Sequence, residues 1–174
     1  TLVGKNGSGK SEAGKFIDNY FSLTYVSTSA LLEQTLGTDK YREELIDEGR
    51  RIIESHPNGF AGFVLDRIHL GGRYAIDRMI HTSDIAYLKK QGSFILLTTL
   101  DDDLRFERMR RSKRFKDAFI GNYGQDLRRM REMDSKDKTD LNEAEQLVDH
   151  VLDTTYKWAK DDFDLMNKLA VYLK

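Results

Sequence analysis

The stretch GKNGSGKS occupies residues 4–11, almost at the front of the chain. It fits the pattern Gly-x-x-x-x-Gly-Lys-Ser/Thr at Gly4, Gly9, Lys10 and Ser11. Glycines let the backbone adopt positive φ angles and let amide N–H groups approach anionic oxygens closely. The lysine of this pattern reaches the β- and γ-phosphates, and the hydroxyl of its last residue holds Mg²⁺. The stretch therefore predicts a phosphate-binding loop.

The residues on either side supply the strand–loop–helix context that such a loop requires. Residues 1–3 look like the end of an apolar strand, and Ala13, Phe16, Ile17 and Tyr20 recur with the period of an amphipathic helix. The alternative interpretation is a glycine-rich turn that caps an ordinary helix, because short motifs also occur by chance. We prefer the phosphate loop, since its context is met on both sides.

Composition limits the number of domains and the classes of partner. The 174 residues suffice for one domain with a sizeable core, and a net charge of −1 gives no overall attraction to nucleic acid. Cysteine is absent, which excludes disulfides and cysteine-based metal sites. No apolar run approaches the ~20 residues that span a bilayer, and there is no secretory signal pattern. We therefore expect a cytoplasmic protein without a membrane partner.

Apolar runs alternate with amphipathic segments along the chain. The runs predict strands at residues 1–3, 24–28, 62–66, 93–99 and 148–152. Periodicity and capping predict helices after the phosphate loop, from residue 29, over 40–55, over most of 67–90, and over 101–111, 127–133 and 162–173. Continuously apolar strands that alternate with helices indicate an α/β layer fold with a parallel sheet.

One carboxylate follows the predicted third strand. In open parallel sheets ligands bind at the carboxyl ends of strands, which makes Asp66 a candidate site residue. We interpret it as a ligand of Mg²⁺-bound water or a base near the phosphates, because the metal at a phosphate loop needs a second acidic group. The alternative is a helix N-cap.

A basic segment follows the predicted fourth strand. The stretch RFERMRRSKRFK, residues 105–116, holds seven basic residues and one acid. Two interpretations stay open: a solvated face, or a mobile segment that closes over a nucleotide and neutralises charge on the transferred phosphoryl group. In the second, Arg108, Arg111 and Arg114 are the expected contacts. A nucleic-acid patch is disfavoured because few aromatic residues interleave the charges.

Three arginines lie shortly after the predicted third strand. The guanidinium groups of Arg67, Arg73 and Arg78 suit the phosphate of an acceptor, because they bind oxyanions in a bidentate manner. The alternative is that they are exposed helix arginines paired with Asp77 or Asp84.

Taken in chain order, these segments resemble the nucleoside and nucleotide kinase branch of P-loop proteins, which includes adenylate, cytidylate and dephospho-CoA kinases. The resemblance looks closest to dephospho-CoA-kinase-related members. It is carried by GKNGSGKS at 4–11, VSTSALLEQ at 26–34, FVLD at 63–66, FILLTTLDDDLRFERM at 94–109 and LVDHVLDTT at 147–155. It implies one domain over residues 1–174, with a five-stranded parallel sheet in the order 2-3-1-4-5 between helical layers and a short basic lid at about 108–125.

The resemblance also implies a site for ATP, Mg²⁺ and a small nucleotide-like acceptor. The nucleotide would contact Gly4, Asn6, Gly7, Ser8, Gly9, Lys10, Ser11 and Glu12. By this resemblance the acceptor would contact Ser27, Thr28 and Leu31, and the chemistry of their guanidinium groups adds Arg67 and Arg73 as candidate acceptor contacts. Ser11 and Asp66 would serve the metal, and the catalytic groups would be Lys10, Asp66, Arg108, Arg111 and Arg114.

The predicted function is an ATP-dependent phosphotransferase that acts on that acceptor. The chain departs from adenylate kinases after the predicted third strand, where DRIHL at 66–70 replaces Asp-Gly-x-Pro-Arg. Ser112 also stands where a second lid arginine is often found. The first departure motivates an alternative, a nucleotide-binding regulatory or interaction module with little transfer activity. We expect no nucleic-acid partner, and the sequence names no protein partner.

Overall fold

The computed structural model describes residues 1–36, 42–69, 71–79, 81–115, 118–137 and 141–174, without the side chains of residues 42–46, 114, 136–137 and 141–142. The strands are β1 (Leu2–Val3), β2 (Thr24–Ser27), β3 (Tyr74–Met79), β4 (Leu96–Thr99) and β5 (His150–Asp153). The α-helices are α1 (Lys10–Phe21), α2 (Thr28–Leu36), α3 (Arg42–Ser55), α4 (Gly59–Leu65), α5 (Thr82–Lys90), α6 (Asp102–Arg111), α7 (Tyr123–Asp137), α8 (Leu141–Glu145) and α9 (Phe163–Tyr172). Short 3₁₀ turns span Lys113–Phe115 and Ala159–Asp161.

The five strands form one parallel sheet in the order β2-β3-β1-β4-β5. The shortest strand, β1, is central: Leu2 lies opposite Asp77 of β3 on one side and Leu96 of β4 on the other. This topology confirms the predicted α/β class and the predicted strand order. It also brings the residues that follow β1, β3 and β4 to one rim of the sheet.

Two hydrophobic cores cover the two faces of the sheet, because consecutive strand residues point to opposite sides. On the face that receives α3, α4 and α5, the strands contribute Val3, Ile76 and Leu97. On the face that receives α1 and α9, they contribute Leu2, Ala75, Leu96 and Leu152. No helix within the described ranges is long and apolar enough to cross a membrane.

A third, smaller core joins the basic segment to α7. It consists of Phe106, Met109, Phe115, Met130 and Met133. Phe115 belongs to the 3₁₀ turn that follows α6, so the chain between α6 and α7 is anchored by a buried ring there. The side chain of Arg114 and residues 116–117 of the predicted lid lie outside the described part of the chain.

The prediction of the third strand was wrong. Residues 62–65 belong to α4, and β3 lies within the segment 67–90 that was expected to be mostly helical. The run from Phe60 to Val64 is apolar because that helix is buried, and periodicity alone cannot distinguish a short buried helix from a buried strand. In β3 the charged pair Asp77 and Arg78 interrupts the apolar pattern.

Candidate active site at the phosphate loop

The phosphate loop connects β1 to α1 and lies against two other elements. Gly4 and Gly7 have φ angles of 140° and 81°, a region that residues with a Cβ atom rarely adopt. A Cβ atom on Gly4 would lie 2.4 Å from the carbonyl oxygen of Thr98, and one on Gly7 would lie 2.8 Å from Cγ of Met109. The loop therefore fits between β4 and α6 only with glycine at both positions.

The start of α1 points its backbone into the loop. Gly9 occupies the N-cap position and offers no side-chain acceptor, which leaves the leading N–H groups of the helix to an anion. Lys10 is buried, and its Nζ donates to the carbonyl oxygens of Gly4 at 2.7 Å and Lys5 at 2.6 Å. The ammonium group is thus held inside the curve of the loop.

A carboxylate in the carboxyl-terminal half of β3 meets the hydroxyl group of the loop. Oδ2 of Asp77 accepts hydrogen bonds from Oγ of Ser11 at 2.8 Å and from the hydroxyl of Tyr25 at 2.5 Å. Oδ1 of Asp77 is buried and has no hydrogen-bond partner among the described residues. Hydroxyl and carboxylate oxygens are ligands that Mg²⁺ prefers, so Ser11 and Asp77 fit a magnesium ion.

Asp66 lies elsewhere. It follows α4 rather than a strand, its side chain is 68% exposed, and its Oδ2 lies 3.0 Å from Nε2 of His56. It does not line the cleft that contains Ser11 and Asp77. The expectation of an acid at the carboxyl end of the third strand applied to the wrong segment, because the strand itself was misplaced.

A cleft of about 630 Å³ opens above the phosphate loop. Beyond the loop, its walls include Tyr25 and Ser27 of β2, Asp77 and Arg78 of β3, and Trp158 after β5. Of the predicted site residues, the cleft is lined by Asn6, Gly7, Gly9, Lys10, Ser11, Glu12, Ser27 and Arg108. Ser8 is buried beneath it, with Oγ 2.7 Å from Oγ1 of Thr98.

The three predicted lid arginines differ in their surroundings. Arg108 donates to Oγ1 of Thr154 at 3.2 Å and to its carbonyl oxygen at 3.1 Å, and its guanidinium lies 4.8 Å from the centre of the Trp158 ring. Arg111 is 81% exposed and contacts Glu107 at 3.5 Å. Of these arginines, Arg108 lines the cleft and Arg111 does not. The side chain of Arg114 lies outside the described part of the chain.

Four of the predicted acceptor contacts do not line this cleft. Thr28 is buried at the start of α2, and Leu31 packs against the core beneath α3 and α4. The guanidinium of Arg67 stacks 3.6 Å from the centre of the Phe63 ring. Arg73 precedes β3 and lines a different cavity of about 250 Å³ at the amino ends of the strands.

Arg105 supports the phosphate loop, although no sequence pattern predicts this role. Its side chain is 1% exposed and forms a bidentate ion pair with Asp134, with distances of 3.0 and 2.5 Å. Nη1 also donates to the carbonyl oxygen of Asn6 at 3.2 Å. Burial alone would lower the pKa of Arg105, but Asp134 and Asp102 raise it above its ordinary value. The residue is therefore charged and ties α6 to α7 and to the loop.

Comparison with known proteins gives similarity at the level of the fold. No family model matches the chain, and no curated protein matches it. Among solved structures, a shikimate kinase from Bacteroides thetaiotaomicron matches with a TM-score of 0.66 at 13% identity, covering 98% of this chain and 96% of that one. A shikimate kinase from Acinetobacter baumannii in complex with shikimate matches with a TM-score of 0.59 at 17% identity, covering 99% and 92%.

An uncharacterized protein from Eubacterium ventriosum also matches, with a TM-score of 0.57 at 11% identity, covering 97% of this chain and 95% of that one. At identities this low, the three matches show that the chain has the fold of these proteins over nearly its whole length.

Proposed function

We propose that the protein is an ATP-dependent phosphotransferase that moves the γ-phosphoryl group of ATP to a small, nucleotide-like acceptor. The observation that carries the proposal is the convergence of Lys10, Ser11 and Asp77 in one cleft at the carboxyl ends of the strands. A cation, a helix N-terminus and a pair of magnesium-type oxygen ligands are the parts that phosphoryl transfer uses. The fold shared with shikimate kinases supports the same reaction class.

The nucleobase of ATP would lie against Arg108 and Trp158. The indole is 42% exposed and forms one wall of the cleft, with the guanidinium of Arg108 above its ring. Aromatic rings and arginine planes both stack on nucleobases. Arg108 lies near the end of α6 and begins the proposed lid of residues 108–125. The start of this lid would therefore contact the nucleotide on the side away from β2.

Transfer would depend mainly on position and charge, since phosphoryl transfer requires little covalent chemistry from the protein. An oxygen of the acceptor attacks the γ-phosphorus, the bond to the bridging oxygen breaks, and ADP leaves. Lys10 would exchange its two loop carbonyls for phosphate oxygens, and Asp77 would hold the Ser11 hydroxyl in place. Bound Mg²⁺ would neutralise charge on the β- and γ-phosphates. Glu12 and Lys15 of α1 also line the cleft.

The acceptor would occupy the half of the cleft formed by β2 and β3. Tyr25 and Ser27 face it from β2, and Ser27 Oγ also accepts the Ala30 N–H at 3.3 Å, which fixes the start of α2. The nucleotide-like acceptor rests on the resemblance to nucleotide kinases. The shikimate kinases of similar fold make hydroxylated small molecules the natural second class to test. Because ATP is its donor, we propose the cytoplasm as the site of action.

The test is a coupled ADP-release assay with ATP–Mg against nucleoside monophosphates, deoxynucleoside monophosphates, dephospho-CoA and shikimate. We expect one acceptor to stimulate ADP release, and Lys10→Ala to abolish that stimulation. Lys90→Ala, at an exposed position of α5, is the matched control and should behave like the wild type. Tight ATP binding without stimulation by any acceptor would favour the regulatory or interaction module instead.

A further inference from the structure

Arg78 is displaced from the regular course of β3. Its φ angle is +70°, one of two positive values among the non-glycine residues that the structure describes. The register of β1 and β3 shifts at this point: Leu2 lies opposite Asp77, but the next residue, Val3, lies opposite Met79. The ladder thus passes over Arg78, which forms a bulge in a central strand.

Side-chain directions along β3 agree with this bulge. In a regular strand, Ile76 would share its face with Arg78 and not with Met79. Both Ile76 and Met79 instead belong to the core on the α4 and α5 face. The extra residue keeps Met79 buried there while Arg78 lines the cleft. Bulges commonly redirect a side chain in this way next to active sites.

Arg78 lines the half of the cleft that we assign to the acceptor, and its side chain is a cation. It directly follows Asp77, and its Nη1 lies 3.5 Å from Oγ of Ser29 at the start of α2. Arg108 lines the opposite, nucleotide-side wall of the same cleft. A strained backbone at a non-glycine residue persists only where the surrounding structure imposes it, and such residues cluster at ligand sites.

We propose that Arg78 binds an anionic group, a phosphate or a carboxylate, on the phosphoryl acceptor. A guanidinium presents its N–H groups as a planar fork that matches either oxyanion. The inference deepens the proposed function, because it assigns the acceptor a negative charge next to the transferring group. Arg78 would thereby set specificity for charged over uncharged acceptors.

The test uses Arg78→Gly, Arg78→Lys and a control, Arg73→Ala. Glycine tolerates a φ of +70°, so Arg78→Gly removes the guanidinium and the backbone strain together and should not lower the melting temperature. Arg78→Lys keeps the charge but loses the fork. Arg73 is an arginine one residue before the same strand that does not line the cleft, so its loss should leave ligand binding unchanged.

Binding is measured by calorimetry, with and without the ATP analogue AMP-PNP and Mg²⁺. AMP and CMP probe phosphate recognition, adenosine and cytidine serve as uncharged matches, and quinate and glycerate probe carboxylate recognition. We expect one anionic class to bind the wild type, and Arg78→Gly to weaken that class at least tenfold. AMP-PNP affinity should change less than twofold. Arg78→Lys should fall between the wild type and the glycine variant.

The outcomes separate this inference from the proposed function. If Arg78→Gly binds the anionic probe as tightly as the wild type, or if no anionic probe binds the wild type, the inference is overturned. If an anionic probe binds through Arg78 but never stimulates ADP release from ATP, anion binding at Arg78 stands and the transferase proposal fails. If an acceptor stimulates ADP release with an equal KM in wild type and Arg78→Gly, the transferase proposal stands and the inference fails.

Discussion

The hydroxyl of Ser11 donates a 2.8 Å hydrogen bond to Oδ2 of Asp77 and so joins the first turn of α1 to the carboxyl-terminal half of β3. These two residues are 66 positions apart in the chain. Oδ1 of the same carboxylate is buried without a hydrogen-bond partner in the described ranges. An unsatisfied buried carboxylate oxygen is costly unless a ligand completes its coordination, which supports the proposal that this pair holds a cation.

We expect Asp77→Asn to reduce kcat by about 100-fold or more in the ADP-release assay, because an amide cannot supply the negative charge that a magnesium site requires. Asp66→Asn is the matched control, since it makes the same chemical change at an exposed carboxylate outside the cleft. It should retain wild-type activity. Equal losses in the two variants would contradict the assignment of the metal site to Asp77.

Trp158 provides a direct optical signal, because it is the only tryptophan of the chain. We expect ATP–Mg to change its fluorescence. Trp158→Ala should weaken ATP binding about tenfold or more, given that stacking contributes about 1–3 kcal/mol per base. Trp158→Phe should retain most of the affinity, since it keeps an aromatic face. Unchanged ATP affinity in Trp158→Ala, measured by calorimetry, would exclude the stacking wall.

Arg105 and Arg111 lie on the same helix but should differ widely in their effect on stability. Arg105→Ala leaves Asp134 without its bidentate partner, which we expect to lower the free energy of unfolding by about 3–5 kcal/mol in urea denaturation. Arg111→Ala removes one exposed contact at 3.5 Å with Glu107 and should change the free energy of unfolding by less than about 0.5 kcal/mol. Similar values for both variants would show that the buried ion pair does not hold α6 and α7 together.

The buried carboxylate of Asp162 stabilises the amino end of β5. Asp162 is 1% exposed, and its Oδ2 lies 2.8 Å from Nζ of Lys157 and 2.9 Å from Nε2 of His150. Burial raises the pKa of Asp162, but hydrogen bonds from Lys157, His150 and the Leu165 N–H outweigh it and lower the pKa from 3.8 to about 2. The charged form is therefore the one that the folded protein favours.

This lowered pKa gives a pH-dependent stability. The contribution is fully present above the unfolded pKa of 3.8 and is lost as the pH falls through about 2. We expect Asp162→Asn to lower the free energy of unfolding by about 2 kcal/mol near pH 7, and the difference from wild type to shrink between about pH 4 and pH 2. Asp161→Asn, at an exposed carboxylate of the preceding 3₁₀ turn, is the control. A difference that is constant with pH would refute the linkage.

The fold was predictable from the sequence wherever a strand is continuously apolar or a loop carries a known motif. The phosphate loop and β4, an apolar run ending in LLTT, were recognisable from pattern alone. The third strand was not, because its buried face and its site residues alternate within YAIDRM. The all-apolar GFAGFVL of α4 gave a stronger strand signal than the strand itself. The strand order of the sheet was predicted correctly even so, since one strand was expected between β2 and β4.

The candidate site was predictable to the extent that it is local. Lys10 and Ser11 followed from the loop motif, and Arg108 from the start of the basic segment. Asp77 required knowledge of where β3 ends, and the general rule of an acid at that rim would have found it. Arg105 gave no signal in the sequence, because burial between Asp134 and the Asn6 carbonyl is a property of the packing between α6, α7 and the loop.

The contact between Gly7 and Met109 has a consequence for how such proteins can diverge or be engineered. The space a side chain would need at residue 7 is already filled from α6, so these distant stretches must change together. A phosphate loop grafted from another protein of this fold would fit only with the matching face of its own α6. The phosphate loop and this face of α6 therefore form one packing unit, in which a larger residue at position 7 requires a smaller one at position 109.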